Sequence, residues 1–101
     1  MDNNQEAISI CDMNHLACAL ECLLFASADP VPIDRLAKVL LCDEAGVRAA
    51  AEALDVLLER HGIQVLRLAG GYTLGTRPEY VDYLNRLCEP PRERLSAAAL
   101  E

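Results

Sequence analysis

The chain has 101 residues, the length of one small domain, and its 52% hydrophobic content excludes an intrinsically disordered protein. Nine basic and 16 acidic residues give a net charge of −7, which disfavours nucleic-acid binding unless the basic groups share one face. The sequence contains no run of about 18 apolar residues that would predict a membrane span, and no basic start of a secretory signal.

The N-terminal segment is polar, and we expect residues 1–13 to form a flexible tail. A helix is predicted from Asn14, whose side chain can cap the first turn, to Ala28. Pro30 and Pro32 prevent the helix from continuing and favour extended backbone around Val31. Val31 is therefore predicted to form an isolated β-bridge.

Two further helices are predicted, one over Ile33–Leu41 and one over Glu44–His61. Asp43 is expected to cap the third helix, and Gly62 is expected to close it in a left-handed conformation. The predicted apolar stripes are Ile33, Leu36, Ala37 and Leu40 in the second helix and Val47, Ala50, Leu54, Leu57 and Leu58 in the third.

The hydrophobic period then changes, and Ile63–Ala69 and Tyr72–Thr76 are predicted as two strands of a hairpin. Gly70-Gly71 is the expected two-residue turn, because primed turns need positive φ. With that loop, one face carries Ile63, Val65, Tyr72 and Leu74, and the other retains Leu66 and Leu68. The apolar second face indicates either a longer loop with another register or a partner on the hairpin.

A fourth helix is predicted to open at Arg77-Pro78-Glu79 and to end near Cys88. Residues 14–88 then form one domain, and residues 89–101 are expected to be a charged linker followed by a capped helix start. The apolar stripe of the fourth helix is Tyr80, Leu84, Leu87 and Cys88.

The order of these elements is that of a winged helix, a mostly helical α+β fold. Its three-helix, helix-turn-helix core carries a β-hairpin wing, here with a C-terminal helix; an unrelated small α+β domain is the alternative. In a DNA-binding winged helix the third helix enters the major groove. Here Asp43–Arg60 holds five carboxylates against two arginines, a local net of −3, so a DNA-binding transcription regulator is the second hypothesis.

The first helix is apolar almost all round. One face carries Leu16, Ala19, Leu20, Leu23 and Leu24, and the opposite side carries Cys18, Cys22 and Phe25 with Glu21 as its ionisable residue. A helix of this kind is buried on both sides, and this domain is too small to wrap one completely. We therefore predict a second chain against the outer side, as a homodimer or a hetero-partner; the alternative is a small domain that exposes one Phe and two Cys.

No enzyme, cofactor or metal site is predicted. His15, Cys18 and Cys22 fall on one stripe with Cys11 a turn earlier, but thiols that fill a core or interface explain this loose spacing more simply than zinc. His61 lies in the last predicted turn of the third helix, without an orienting group for catalysis. The five cysteines are odd in number and form no CxxC, which indicates reduced thiols in the cytosol.

Several segments carry a resemblance to a known family. They are residues 19–26 (ALECLLFA), residues 30–37 (PVPIDRLA), residues 62–65 (GIQV) and residues 69–80 (AGGYTLGTRPEY). Over about residues 16–101 the chain resembles segregation and condensation protein B (ScpB), and residues 95–101 are similar to the first turn of that family's second winged-helix domain. Cys18 and Cys22 depart from the plain aliphatic or small residues expected in the first helix.

The resemblance implies a non-enzymatic subunit of the bacterial SMC condensin complex, which condenses and segregates chromosomes during cell division. It implies a homodimer, formed largely through the N-terminal winged helix, that binds the central part of the kleisin ScpA. It also implies contact with the SMC ATPase through the kleisin, only indirect contact with DNA, no membrane, and a cytoplasmic, nucleoid-associated location. The expected interface residues are Cys18, Glu21, Cys22 and Phe25, and the expected wing turn is Gly70, Gly71 and Tyr72.

Overall fold

The computed structural model describes residues 10–88, and residues 10 and 11 through their backbone alone. Within that range it contains four α-helices, one antiparallel hairpin and one 3-10 turn, in the predicted winged-helix order. The bounds are α1 Ile10–Ala26, α2 Ile33–Leu40, α3 Glu44–Leu57, β1 Ile63–Leu68, β2 Gly71–Thr76, the 3-10 turn Pro78–Tyr80 and α4 Val81–Leu87. The expected linker and helix start at residues 89–101 lie outside the described residues.

The core lies where α1, α2 and α3 meet the inner face of the hairpin. Its buried members are Ala17, Leu20, Leu24, Leu36, Val47, Ala50, Ala51, Leu54, Leu58 and Tyr72. The predicted stripes of α2 and α3 therefore reach the core, with one exception: Leu57 is 40% exposed. Leu58, in the turn that follows α3, occupies the core position at this end.

α1 begins at Ile10 rather than at the predicted cap Asn14, which lies exposed inside the helix. The extra turn is stabilised because Met13 packs against the core one turn before Leu16, and helix length depends more on such packing than on capping. At the other end, the Ser27 hydroxyl donates to the Leu23 carbonyl at 2.8 Å, and α1 ends at Ala26 rather than Ala28.

The two ends of α3 confirm one prediction and correct another. Asp43 caps α3 as predicted, because its Oδ1 accepts a hydrogen bond from the Gly46 N–H at 2.8 Å. α3 ends at Leu57, before His61, and the left-handed residue beyond it is Arg60, with φ 70°, instead of Gly62.

The hairpin pairs Ile63 with Thr76 at its open end and Leu68 with Gly71 at its tip, so the turn is Ala69-Gly70. Each β1 residue therefore pairs with a residue two positions earlier in the sequence than the partner that a Gly70-Gly71 turn would give it. Because side chains alternate with period two, this shift leaves every residue on its predicted face.

The predicted bridge at Val31 is confirmed. The Val31 N–H donates to the Tyr72 carbonyl at 2.8 Å, and the Tyr72 N–H donates to the Val31 carbonyl at 2.9 Å. These bonds attach the connection between α1 and α2 to the edge of β2.

Arg77 joins the end of α3 to the end of the hairpin. Its Nε donates to the His61 carbonyl at 2.7 Å, its guanidinium NH2 donates to the Leu58 carbonyl at 3.0 Å, and its backbone N–H donates to the Gly62 carbonyl at 2.9 Å. The side chain thus donates to two carbonyls in the turn that follows α3, and the Leu58 carbonyl also accepts from the His61 N–H at 2.9 Å.

Replacing Arg77 with methionine is expected to lower the free energy of unfolding by about 1–3 kcal/mol, because two charge-assisted hydrogen bonds are lost. Urea unfolding at fixed protein concentration measures the change. Arg35→Met is the control, because the exposed Arg35 side chain makes no hydrogen bond or ion pair within residues 10–88. An Arg77 effect no larger than that of Arg35 would contradict the assigned role.

Candidate interaction surface

The four residues predicted at the interface lie together on the outer side of α1. Phe25 is 84% exposed, Cys18 and Cys22 are exposed, and Glu21 is half-buried. The core side of the same helix is formed by Ala17, Leu20 and Leu24. We call this outer side the α1 face, defined by Cys18, Glu21, Cys22 and Phe25. Within residues 10–88 no element covers its phenylalanine.

A groove runs between the end of α1 and strand β2, beside Phe25. Its lining is Glu21, Leu24, Phe25, Ser27 and Ala28 from the first helix and its end, and Ile63, Thr73, Leu74, Gly75 and Thr76 from the hairpin. Both backbone groups of Tyr72 point away from β1 towards Val31. Because hydrogen-bonding direction alternates along a strand, the backbone groups of Leu74 also point away from β1, on the groove side. Glu21 is the charged residue of this largely apolar lining.

The predicted wing turn is displaced by one residue. Gly70 lies in the turn, whereas Gly71 opens β2 with φ 130°. Tyr72 is 4% exposed and belongs to the core, with the Arg67 guanidinium 5.7 Å from its ring centroid. Tyr72 therefore holds the wing against the helices and is not part of its tip.

The outer face of α3 is acidic, as the sequence predicts. Glu52, Asp55 and Glu59 are exposed, and the guanidinium of Arg48 lies 3.6 Å from the Glu44 carboxylate. These carboxylates would repel the phosphate backbone at the position where a recognition helix contacts DNA.

The thiols and histidines form no catalytic or metal-binding group in the described part of the chain. Cys18, Cys22, Cys42 and Cys88 are free, and no three His, Cys, Asp or Glu side chains there could hold a metal ion. Burial raises the pKa of the Cys42 thiol, and the adjacent Asp43 carboxylate raises it further, which keeps this thiol protonated and unreactive. No helix within residues 10–88 is long and apolar enough to cross a membrane.

Two exposed apolar residues were not predicted from the sequence. Ile63 shares a predicted face with the buried Tyr72, yet it is 37% exposed at the rim of the groove. Tyr83 was in no predicted stripe, and it is 65% exposed on α4. The signal was present, because α4 carries more large apolar residues than one buried stripe requires.

Comparison with known proteins gives a consistent result. The family described as "Segregation and condensation complex subunit ScpB" matches residues 18–101. Segregation and condensation protein B of Moorella thermoacetica is 42% identical over 90 residues, which cover 87% of this chain and 46% of that protein. The protein of the same name from Symbiobacterium thermophilum is also 42% identical over 90 residues, covering 87% and 41%. The chain therefore spans less than half the length of these curated relatives.

Solved structures agree with the fold. A crystal structure of a dimer of the ScpB N-terminal domain complexed with ScpA peptide superposes with a TM-score of 0.70 at 32% identity, covering 75% of this chain and 98% of that one. ScpB from Mycobacterium tuberculosis superposes with a TM-score of 0.68 at 26% identity, covering 74% and 48%. Since the family match extends over most of the sequence and the winged-helix core superposes on its N-terminal domain, the chain belongs to the ScpB family of segregation and condensation complex subunits.

Proposed function

We propose that this chain is the self-associating N-terminal domain of the kleisin-binding subunit of a bacterial SMC condensin complex. In this role it is a scaffold in chromosome condensation and segregation during cell division. Its direct partners are a second copy of itself and the kleisin ScpA. It reaches the SMC ATPase through the kleisin, and DNA only indirectly.

One observation carries this proposal. The solved dimer of the ScpB N-terminal domain with ScpA peptide is matched over 98% of its own chain, so this chain contains the counterpart of nearly all of that domain. The α1 face supports self-association independently, because an 84% exposed phenylalanine next to two exposed thiols is typical of an interface without its partner.

The proposed role is non-enzymatic. The groove beside α1 is lined by apolar and small polar residues with one carboxylate, and it offers neither a nucleophile with a base nor a paired acid and base. As a subunit of the proposed complex, the protein is cytoplasmic and associated with the nucleoid.

Light scattering of the chain, alone and mixed with a central kleisin fragment, tests the proposal. We expect a mass twice the 11.0 kDa of one chain at tens of micromolar, and a larger species when the kleisin fragment is added. A monomer at that concentration would overturn self-association. A dimer whose mass does not change when the kleisin fragment is added would overturn kleisin binding by this domain.

A further inference from the structure

α4 exposes an apolar surface that nothing in the described part of the chain covers. None of its residues is buried, and Tyr83 and Leu87, which share one face at a spacing of four residues, are 65% and 73% exposed. Tyr80, which precedes the helix, is 40% exposed, and its ring centroid lies 6.5 Å from that of Tyr83. A seven-residue helix is too short to be stable in water by itself, so its apolar side requires a surface to pack against.

The groove beside α1 lies close to the segment that leads into α4. Thr76 ends the groove-lining strand, and Pro78 begins the turn that leads into α4. The Tyr80 ring approaches to 4.0 Å from where a Cβ on Gly62 would lie, next to the groove residue Ile63. Apolar residues thus follow one another from Phe25 and Ile63, which line the groove, to Tyr80 just before α4.

The α1 face is too small to account for a stable dimer. A phenylalanine buries about 150–250 Å², whereas a specific interface buries about 800 Å² on each partner. Cys18 and Cys22 add little area. The exposed Tyr80, Tyr83 and Leu87, at and before α4, add the adjoining apolar area that a larger interface requires.

One pair of opposite charges can also meet between the two surfaces, although α4 carries Asp82 as well as a basic residue. Arg86 is the basic residue of α4, and its guanidinium lies 5.2 Å from the Tyr83 ring centroid on the exposed side of that helix. Glu21 is the charged residue that lines the groove. If α4 of a second copy occupies the groove, Arg86 is the group of α4 that can pair with Glu21.

We infer that α4 of one copy packs into the groove between α1 and β2 of a second copy, and that the contact is reciprocal about a two-fold axis. The inference rests on the proposed self-association and adds its geometry. Each protomer inserts its α4, here called the arm, into the groove of its partner and receives the partner's arm in its own groove. A two-fold contact uses the same surface on both subunits, and this surface contains both the arm and the groove.

Leu87→Glu tests the arm by sedimentation equilibrium. Glutamate is a good helix former, so α4 is retained while a second carboxylate enters the desolvated contact that holds Glu21. We expect the dimer dissociation constant to rise by at least about tenfold, a loss of about 1.4 kcal/mol. The matched control is Val56→Glu, near the end of α3, where Val56 is 63% exposed and does not line the groove. Equal dissociation constants for the two variants would overturn the inference.

The native cysteines provide a second measurement. Cys88 follows α4, and Cys18 and Cys22 lie on the α1 face beside the groove. A short bismaleimide, applied to a mixture of unlabelled and nitrogen-15-labelled chain, is expected to join Cys88 of one copy to Cys18 or Cys22 of the other. A dimer that yields links between α1 faces but none to Cys88 would overturn the exchange of arms while preserving self-association. A monomer would instead overturn the proposed function.

Discussion

Replacing Gly71 with alanine is expected to lower the free energy of unfolding by about 3–5 kcal/mol. Gly71 has φ 130°, a region that side-chain-bearing residues avoid at a cost of about 1–3 kcal/mol. A Cβ there would also overlap the Val31 carbonyl oxygen, which accepts from Tyr72. Relieving the overlap breaks the two bridge hydrogen bonds, each worth about 0.5–1.5 kcal/mol.

The neighbouring glycine is the matched control. A Cβ on Gly70 would lie 3.6 Å from the Pro30 Cβ, an ordinary contact, and Gly70 has no positive φ. Gly70→Ala should therefore change stability by less than about 1 kcal/mol. Urea unfolding followed by circular dichroism distinguishes the two variants. Equal stability of both would show that the bridge at Val31 is not required for the hairpin to pack.

Phe25→Glu is expected to convert the dimer into a monomer with an intact fold. The side chain is 84% exposed in one chain, so the change costs little in folding. A carboxylate buried without a partner in an interface costs several kcal/mol, which raises the dimer dissociation constant by at least about 100-fold. Sedimentation equilibrium measures this constant, and circular dichroism checks the fold.

Val39→Glu is the control for Phe25→Glu. Val39 is an exposed apolar residue of a helix, 54% accessible, and it lies on α2 away from the α1 face. The control should dimerise like the unaltered chain. If Phe25→Glu also remains a dimer of unchanged affinity, the α1 face is not the contact surface, and the interface must lie elsewhere, with the wing as the next candidate.

The order of elements and most of the core could be predicted from the sequence, because they follow from residue spacing. Leu36 and Leu54 lie in the core, as their stripes predict, and Asp43 caps α3. The ends of the helices are harder to predict from the sequence, because they depend on contacts between residues distant in sequence. Leu41 and Arg60 adopt left-handed backbone at φ 60° and 70°, conformations that sequence reasoning assigns to glycine.

The hairpin shows what spacing can and cannot determine. The assignment of faces is right because it depends on parity alone, whereas the turn is wrong by one residue because two glycines offered two positions. The half-buried state of Leu66 needs no partner, since its side chain lies over the space where Gly75 lacks a Cβ. The surplus of large apolar residues in α4 indicates an exposed apolar surface, but residue spacing does not identify a partner for that surface.

The bridge between Val31 and Tyr72 has a mechanical consequence. Two backbone hydrogen bonds attach β2 to the segment that leads into α2. The Arg77 side chain attaches the end of the hairpin to the carbonyls beyond α3. We therefore expect tension on the tip at Ala69-Gly70 to be transmitted to the segments that adjoin α2 and α3, so that the hairpin and the helices move together.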